Sequence, residues 1–134
     1  MANFVWPLRV YYEDTDAGGV VYYANYLRFL ERARTEWLRA LGVGQAELME
    51  TAGLAFAVRS INAEYLKSAR LDDELQVVST LDFLGRAQVR FAQRIDRAGE
   101  TLLTATVRVA CLDLKRGRAA AMPPELYEQL KKLT

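Results

Sequence analysis

The stretch VYYEDTDAGGVVYYANYLRFLERARTEWLRAL, from Val10 to Leu41, decides how the rest of the chain must be arranged. It reads as a short strand, an acidic loop Glu13-Asp14-Thr15-Asp16 closed by Gly18 and Gly19, and an amphipathic helix that begins near Ala24 and stops at Gly42. Tyr26, Leu30, Ala33, Trp37 and Leu41 recur at helical spacing, and Leu27 and Leu38 widen the stripe, so one face must be buried. Arg28, Glu31, Arg32, Glu36 and Arg39 fall largely on the other face. Pairs such as Arg32 with Glu36 contribute roughly 0.2–0.5 kcal/mol each, too little to hold an isolated helix. A rod of about 18 residues, about 27 Å long at 1.5 Å per residue, therefore needs a sheet to lie on. Asn25 is the expected N-cap and Gly42 the expected stop. The Asp16 carboxylate stands just ahead of the rod's positive end.

Outward from this stretch, the alternation of Leu8, Val10 and Tyr12 with Arg9, Tyr11 and Glu13 predicts a strand that feeds the acidic loop. Gly44 to Ala52 carries Leu48 and Met49 between polar residues and predicts a short second helix, ended by Gly53. Beyond Gly53 the period falls to about two. Phe56 to Tyr65 has mixed alternation, as in a central strand or one broken by a bulge. Leu75, Val77, Leu81 and Phe83 face one way, Gly85 makes a hairpin turn, and Ala87, Val89, Phe91 and Ile95 form the next apolar row. Gly99 turns the chain again before Leu103, Ala105, Val107, Val109 and Cys111. A weak last strand follows Gly117, and Pro123-Pro124-Glu125 opens a C-terminal helix with Leu126, Leu130 and Leu133 on one side. The pattern is α+β: an antiparallel sheet of about five strands with one long helix across a face, in a single domain over residues 1–134.

With 134 residues, 51% of them hydrophobic, one core is expected. The formal charge of +1 supplies no general field for nucleic acid, which is not expected as a partner. Cys111 is the only cysteine and lies in an apolar run, so it reads as a core residue in a reducing compartment, and a cytoplasmic protein is expected. No run of about 18 apolar residues is present, so no membrane span is expected. Histidine is absent altogether. This removes Ser-His-Asp triads, Cys-His pairs and histidine-based zinc sites, and leaves carboxylates, tyrosines and backbone groups for any chemistry. Neither metal nor cofactor is expected. Asp14, Asp16 and Gly19 match three EF-hand positions, but Gly18 and Asn25 then occupy ligand positions five and twelve, so the calcium pattern fails.

VYYEDTDAGGVVYYANY, from Val10 to Tyr26, closely resembles the hotdog-fold acyl-CoA thioesterases of the 4-hydroxybenzoyl-CoA thioesterase family, nearest to their Tol-Pal-associated branch. ERARTEWLRALG, from Glu31 to Gly42, and AEYLKSARLDDEL, from Ala63 to Leu75, extend the likeness over most of the chain. The resemblance implies a sheet wrapped around the helix, pairing of two subunits into one continuous sheet as a homodimer or a tetramer of dimers, and thioester hydrolysis at the subunit interface. It implies that Asp16 is the catalytic carboxylate, with Gly19, Val20, Tyr22 and Asn25 along the substrate. One departure is Tyr23, where much of that branch carries histidine and the 4-hydroxybenzoyl-CoA enzymes carry tyrosine.

On residue pattern alone Asp16 is a loop aspartate that satisfies turn amides, and the resemblance is what makes it catalytic. It either attacks the carbonyl or activates water, and both routes stay open. The Tyr23 backbone amide at the helix start is the expected donor to the thioester carbonyl, a role that no side-chain exchange removes. Asp14 reads as the turn former. The phosphates of coenzyme A call for cations, for which Lys67, with Arg70 beside it, and Arg86 are candidates. The expected function is hydrolysis of a short-chain or aromatic acyl-CoA. The alternative is a non-catalytic module that binds acyl-CoA or acyl carrier protein. A hotdog dehydratase is disfavoured because those enzymes resemble one another in using histidine.

Overall fold

In the computed structural model, which describes residues 2–134, helix α1 spans Asn25–Ala40. It ends as its sequence predicts. Gly42 takes a left-handed φ of 86°, its N–H donates to Arg39 O at 2.9 Å, and the Val43 N–H donates to Leu38 O at 2.9 Å, a Schellman closure. Its start differs from expectation. Ala24 holds the cap position without a side-chain hydrogen bond, and Asn25 lies inside the first turn. The Asn25 Nδ2 donates instead to the Asp14 carbonyl at 2.9 Å. That carbonyl sits beneath the helix start and already accepts the Tyr22 N–H at 3.0 Å, so it competes successfully for the amide that would have capped the helix.

Strands β1 (Asn3–Arg9), β2 (Leu54–Tyr65), β3 (Glu74–Leu84), β4 (Gln88–Arg97) and β5 (Glu100–Asp113) form one antiparallel sheet in the order β1-β3-β4-β5-β2. A two-residue strand β6 (Arg118–Ala119) adds to the end of β5, as the weak last strand requires. Helices α2 (Gln45–Ala52) and α3 (Pro124–Lys131) fall where the sequence places them. The sheet curls around α1 in the hotdog arrangement. Tyr26, Phe29, Leu30, Ala33, Trp37 and Leu38 from the helix meet Leu75, Val77, Leu81, Phe91, Ile95, Leu103 and Val107 from the sheet in one core. Trp37 packs between Phe4, at 5.8 Å between ring centroids, and Phe91, at 6.0 Å. Cys111 is fully buried within it.

Two strand expectations are corrected, and a third, left between two alternatives, is resolved. The first strand ends at Arg9, and Tyr12–Asp14 form a 3-10 turn, because the Asp14 carboxylate accepts the Tyr11 N–H at 2.9 Å and draws the chain out of extended form. Asp14 is thus the turn former. Phe83 does not continue the Leu81 row: a register shift between Leu81 and Phe83 turns it outward, 45% exposed, beneath the Arg90 guanidinium. Strand β2 does carry a bulge, between Val58 and Ser60, but it is an edge strand, paired to β5 alone. Its mixed alternation follows from that free side.

Candidate active site

The acidic loop is a small hairpin in its own right. Thr15 bridges Val21, the Asp16 N–H donates to Val20 O at 2.9 Å, and the Gly19 N–H returns to Asp16 O at 3.0 Å. The Asp16 carboxylate is exposed, and its Oδ1 accepts the Gly18 N–H at 2.8 Å. This bond fixes the carboxylate's orientation while Oδ2 has no hydrogen bond from another described residue. Gly18 permits the approach, since a Cβ there would meet Asp16 Oδ1 at 3.3 Å. Gly19 supplies the left-handed turn, with φ of 78°.

Six residues of the motif come together at this point: Asp16, Gly19, Val20, Tyr22, Tyr23 and Asn25. The Asp14 carbonyl, two residues before Asp16, binds both the Tyr22 N–H and the Asn25 side chain. The helix start is therefore tied at one atom to the loop that carries Asp16. Just ahead of the helix, the N–H groups of Tyr23 and of the cap residue Ala24 find no acceptor among the described residues. Unpaired N–H groups at a helix start carry the positive end of its dipole and favour a nearby anion.

The segment from Leu66 to Asp73, after β2, closes the site on one side. Val20 bridges Arg70, the Val21 N–H donates to Ala69 O at 2.9 Å, and the Ala69 N–H donates to the Tyr26 hydroxyl at 2.9 Å. Burial pushes the Tyr26 phenol up, so it stays neutral as an acceptor. Tyr65, which the sequence did not single out, donates its hydroxyl to Tyr23 O at 3.2 Å. Its ring stands edge-on to Tyr23 at 6.4 Å and to Tyr26 at 5.6 Å, and Tyr22 lies 4.7 Å from Tyr23. Tyr22, Tyr23 and Tyr65 are each about half exposed or more, so their rings present an aromatic surface beside the helix start.

The cation candidates separate. Lys67 is ion-paired with Glu100, which also meets Arg97, and Arg97 in turn holds Asp73 at 2.8 Å. Burial of Asp73 works against its charge, but hydrogen bonds from Arg97 and the Arg70 N–H outweigh it and hold the carboxyl below its ordinary range. Arg70 makes no salt bridge among the described residues, and it sits directly on the Val20 bridge. Arg86 does not join them within one protomer. It lies past the far end of β3, roughly 33 Å of strand from Glu74 at 3.3 Å per residue, with its guanidinium over the Tyr127 ring. Strand direction, which spacing alone does not give, decides this.

A sequence profile of the thioesterase-like superfamily matches residues 10–130. The chain belongs to this superfamily. Among its relatives, the acyl-CoA thioesterase YbgC of Haemophilus influenzae is 49% identical over 124 residues, which cover 92% of this chain and 91% of that one. The acyl-CoA thioester hydrolase YbgC of Escherichia coli is 46% identical over 129 residues, 96% of each chain. Of solved structures, the probable thioesterase of Bartonella henselae superposes on this thioesterase-like chain with a TM-score of 0.86 at 34% identity, covering 91% of this chain and 100% of that one. The 1,4-dihydroxy-2-naphthoyl-CoA thioesterase of Synechocystis gives 0.91 at 22% identity over 98% of each, a likeness of fold alone. The thioesterase family implied by Val10–Tyr26 is borne out. No helix among the described residues of this thioesterase-like chain is long and apolar enough to cross a membrane.

Proposed function

We propose that this chain hydrolyses an acyl-CoA thioester to the free acid and coenzyme A, with Asp16 and the Tyr23 amide as its working groups. The observation that carries the reading is the pairing of an exposed carboxylate, oriented by the Gly18 N–H, with unpaired N–H groups just ahead of α1, whose start is held by the Asp14 carbonyl. The thioester oxygen accepts the Tyr23 N–H, so that charge developing on it faces the helix's positive end. Asp16 then either removes a proton from water as the C–O bond forms, or attacks the carbonyl itself to give an anhydride that water opens. In both routes the C–S bond breaks and the thiolate leaves to be protonated. Relatives named acyl-CoA thioesterase support the substrate class.

The exposed rings of Tyr22, Tyr23 and Tyr65 favour a short-chain or aromatic acyl group, and Gly19 and Val20 line its approach. Arg70, with Lys67 beside it, receives the coenzyme A phosphates, and Lys67 exchanges Glu100 for the ligand when it takes part. Arg70→Ala is expected to raise KM about tenfold for an acyl-CoA and to leave the acyl-pantetheine thioester unchanged. An equal rise for both would place the phosphates elsewhere. The reaction belongs in the cytoplasm, where a buried Cys111, its thiol pushed up by burial, stays reduced and inert.

Thiol release from a panel of acyl-CoA and acyl-carrier-protein thioesters tests the proposal. Turnover of at least one supports hydrolysis, whereas tight binding without release across the panel would make the chain a binding module. Tyr23→Phe is expected to change kcat by less than about threefold, because the proposed donor is main chain. A collapse with the fold intact by circular dichroism would assign the role to the phenol.

A further inference from the structure

Away from Asp16, α1 lines a second cavity, of about 240 Å³, with Phe56, Val89, Phe91 and Val109 from the sheet and Leu38 and Leu130 from the helices. Arg34 opens into it. This side chain is only 7% exposed, and its Nη1 donates to the Gln93 Oε1 at 3.0 Å. Gln93 is itself spent, since its Nε2 donates to Leu30 O at 3.1 Å and Ser79 Oγ at 2.9 Å. A guanidinium carries five N–H donors, and Gln93 takes one. No described residue takes the others. Among the described residues no buried side-chain nitrogen lacks a partner, so the unbonded Arg34 nitrogens are not sealed from solvent, and Arg34 lines the cavity.

The charge has no ion pair either. Glu31, one turn earlier and on the exposed rim, accepts the Thr35 hydroxyl at 2.8 Å and makes no salt bridge to Arg34. Desolvation brings the Arg34 pKa down to about 10 and Glu31 offsets this only in part, so the group remains a cation at neutral pH. Among the described residues Arg34 is the one cation of a lining that also holds Glu31, Thr35 and Gln45 at its polar side. A cation facing the apolar side chains of Phe56, Val89 and Phe91 is a receptor for an anion with an apolar body. The volume lies below the roughly 300–1,000 Å³ of pockets for drug-sized ligands, which confines the occupant to a ring or a short chain.

We propose that this cavity binds the carboxylate of a small apolar acid, forked by Arg34, with the hydrocarbon against Phe56 and Phe91. The acid comes from one of two sources. One is a free acid, because Arg34 lies nine residues along α1 from Asn25, about 13 Å at 1.5 Å per residue, and the buried Tyr26, Phe29 and Leu30 intervene. The other is the far carboxylate of a dicarboxylic acyl thioester seated at a second copy of this chain. Pairing of two copies along β2 about a twofold axis normal to the sheet sets the helices antiparallel, which brings the α1 start of one toward the Arg34 cavity of the other. This second source rests on the thioesterase reading, and the first does not.

Calorimetric titration with glutarate, adipate and benzoate, each against its neutral amide, tests binding without reference to turnover. The acids are expected to bind at least about tenfold more tightly than the amides. Arg34→Met should remove the difference and Arg34→Lys should keep part of it, because a point charge survives without the fork. Val58→Trp, which fills the cavity mouth from a position 46% exposed on β2, should block binding even where an Arg34 variant fails to fold. Thiol release from adipoyl-CoA against hexanoyl-CoA separates the sources. A preference of about tenfold for adipoyl-CoA, lost in Arg34→Met, assigns the acyl end, and binding of free acid without that preference assigns the free acid. Equal affinity for acid and amide, or acid binding that survives Val58→Trp, overturns the proposal whatever the enzyme hydrolyses.

Discussion

Asp16→Asn lowers kcat for the best acyl-CoA substrate by roughly 10²–10⁴, the range expected when a positioned acid–base group is removed. The amide is neither base nor nucleophile, yet its oxygen still accepts the Gly18 N–H that Asp16 Oδ1 accepts at 2.8 Å. The main-chain bonds of the loop hairpin, through the Asp16 N–H and carbonyl, are unaffected. Stability should therefore stay within about 0.5 kcal/mol of the parent, as for a neutral surface exchange. Thiol release and a denaturant midpoint on the same preparation provide the check. A variant within about tenfold of the parent, or about 1.4 kcal/mol in barrier, would falsify the catalytic assignment of Asp16.

The second large effect is on assembly. The protein is expected to run in light scattering at twice the 15.2 kDa of one chain or at a higher even multiple, and to lose specific activity on dilution through its dissociation range. Strand β2 is 12 residues of edge, paired to β5 on one side only, with Val58 and Tyr65 each close to half exposed. Such an edge invites a second copy. Tyr65 at its end also holds the Tyr23 carbonyl, so the edge leads directly to the proposed oxyanion donor. A partner laid there excludes water from the helix start and strengthens its electrostatics. A mass near one chain at assay concentration, or full activity in a dissociated form, removes the partner from the mechanism.

Helix α1 and the rows of β3 and β4 were legible because each rests on a repeated local period and is closed by a glycine, Gly42, Gly85 and Gly99. The motif from Asp16 to Asn25 was legible for a similar reason: its residues are neighbours in sequence and remain neighbours in space. What sequence did not disclose lies in long-range partners. Gln93 alternates in β4 as an inward residue, yet only contact with Arg34, 59 positions away, explains how two polar groups share the core. Asn25 looked like a cap because nothing local announces the Asp14 carbonyl that claims its amide. Tyr65 reaches Tyr23 across 42 residues, and Arg86 drops away from the site because of the direction in which β3 runs. Phe83 left its expected row for the opposite reason, a one-residue register shift that no alternation pattern encodes.

The bonds that locate Asp16 against the helix start are almost all made by the main chain: Asp16 N–H to Val20 O, Gly19 N–H to Asp16 O, Tyr22 N–H to Asp14 O, and Val21 N–H to Ala69 O. Most residues around the carboxylate are thus free to change identity without moving it. A lineage built on this scaffold can exchange Val20, Tyr22, Tyr23 or Arg70 one at a time, retuning which acid it releases while every intermediate sequence keeps its catalytic framework. Glycine 18 and glycine 19 are the exceptions, since the one admits the carboxylate and the other makes the turn, and drift should halt there first.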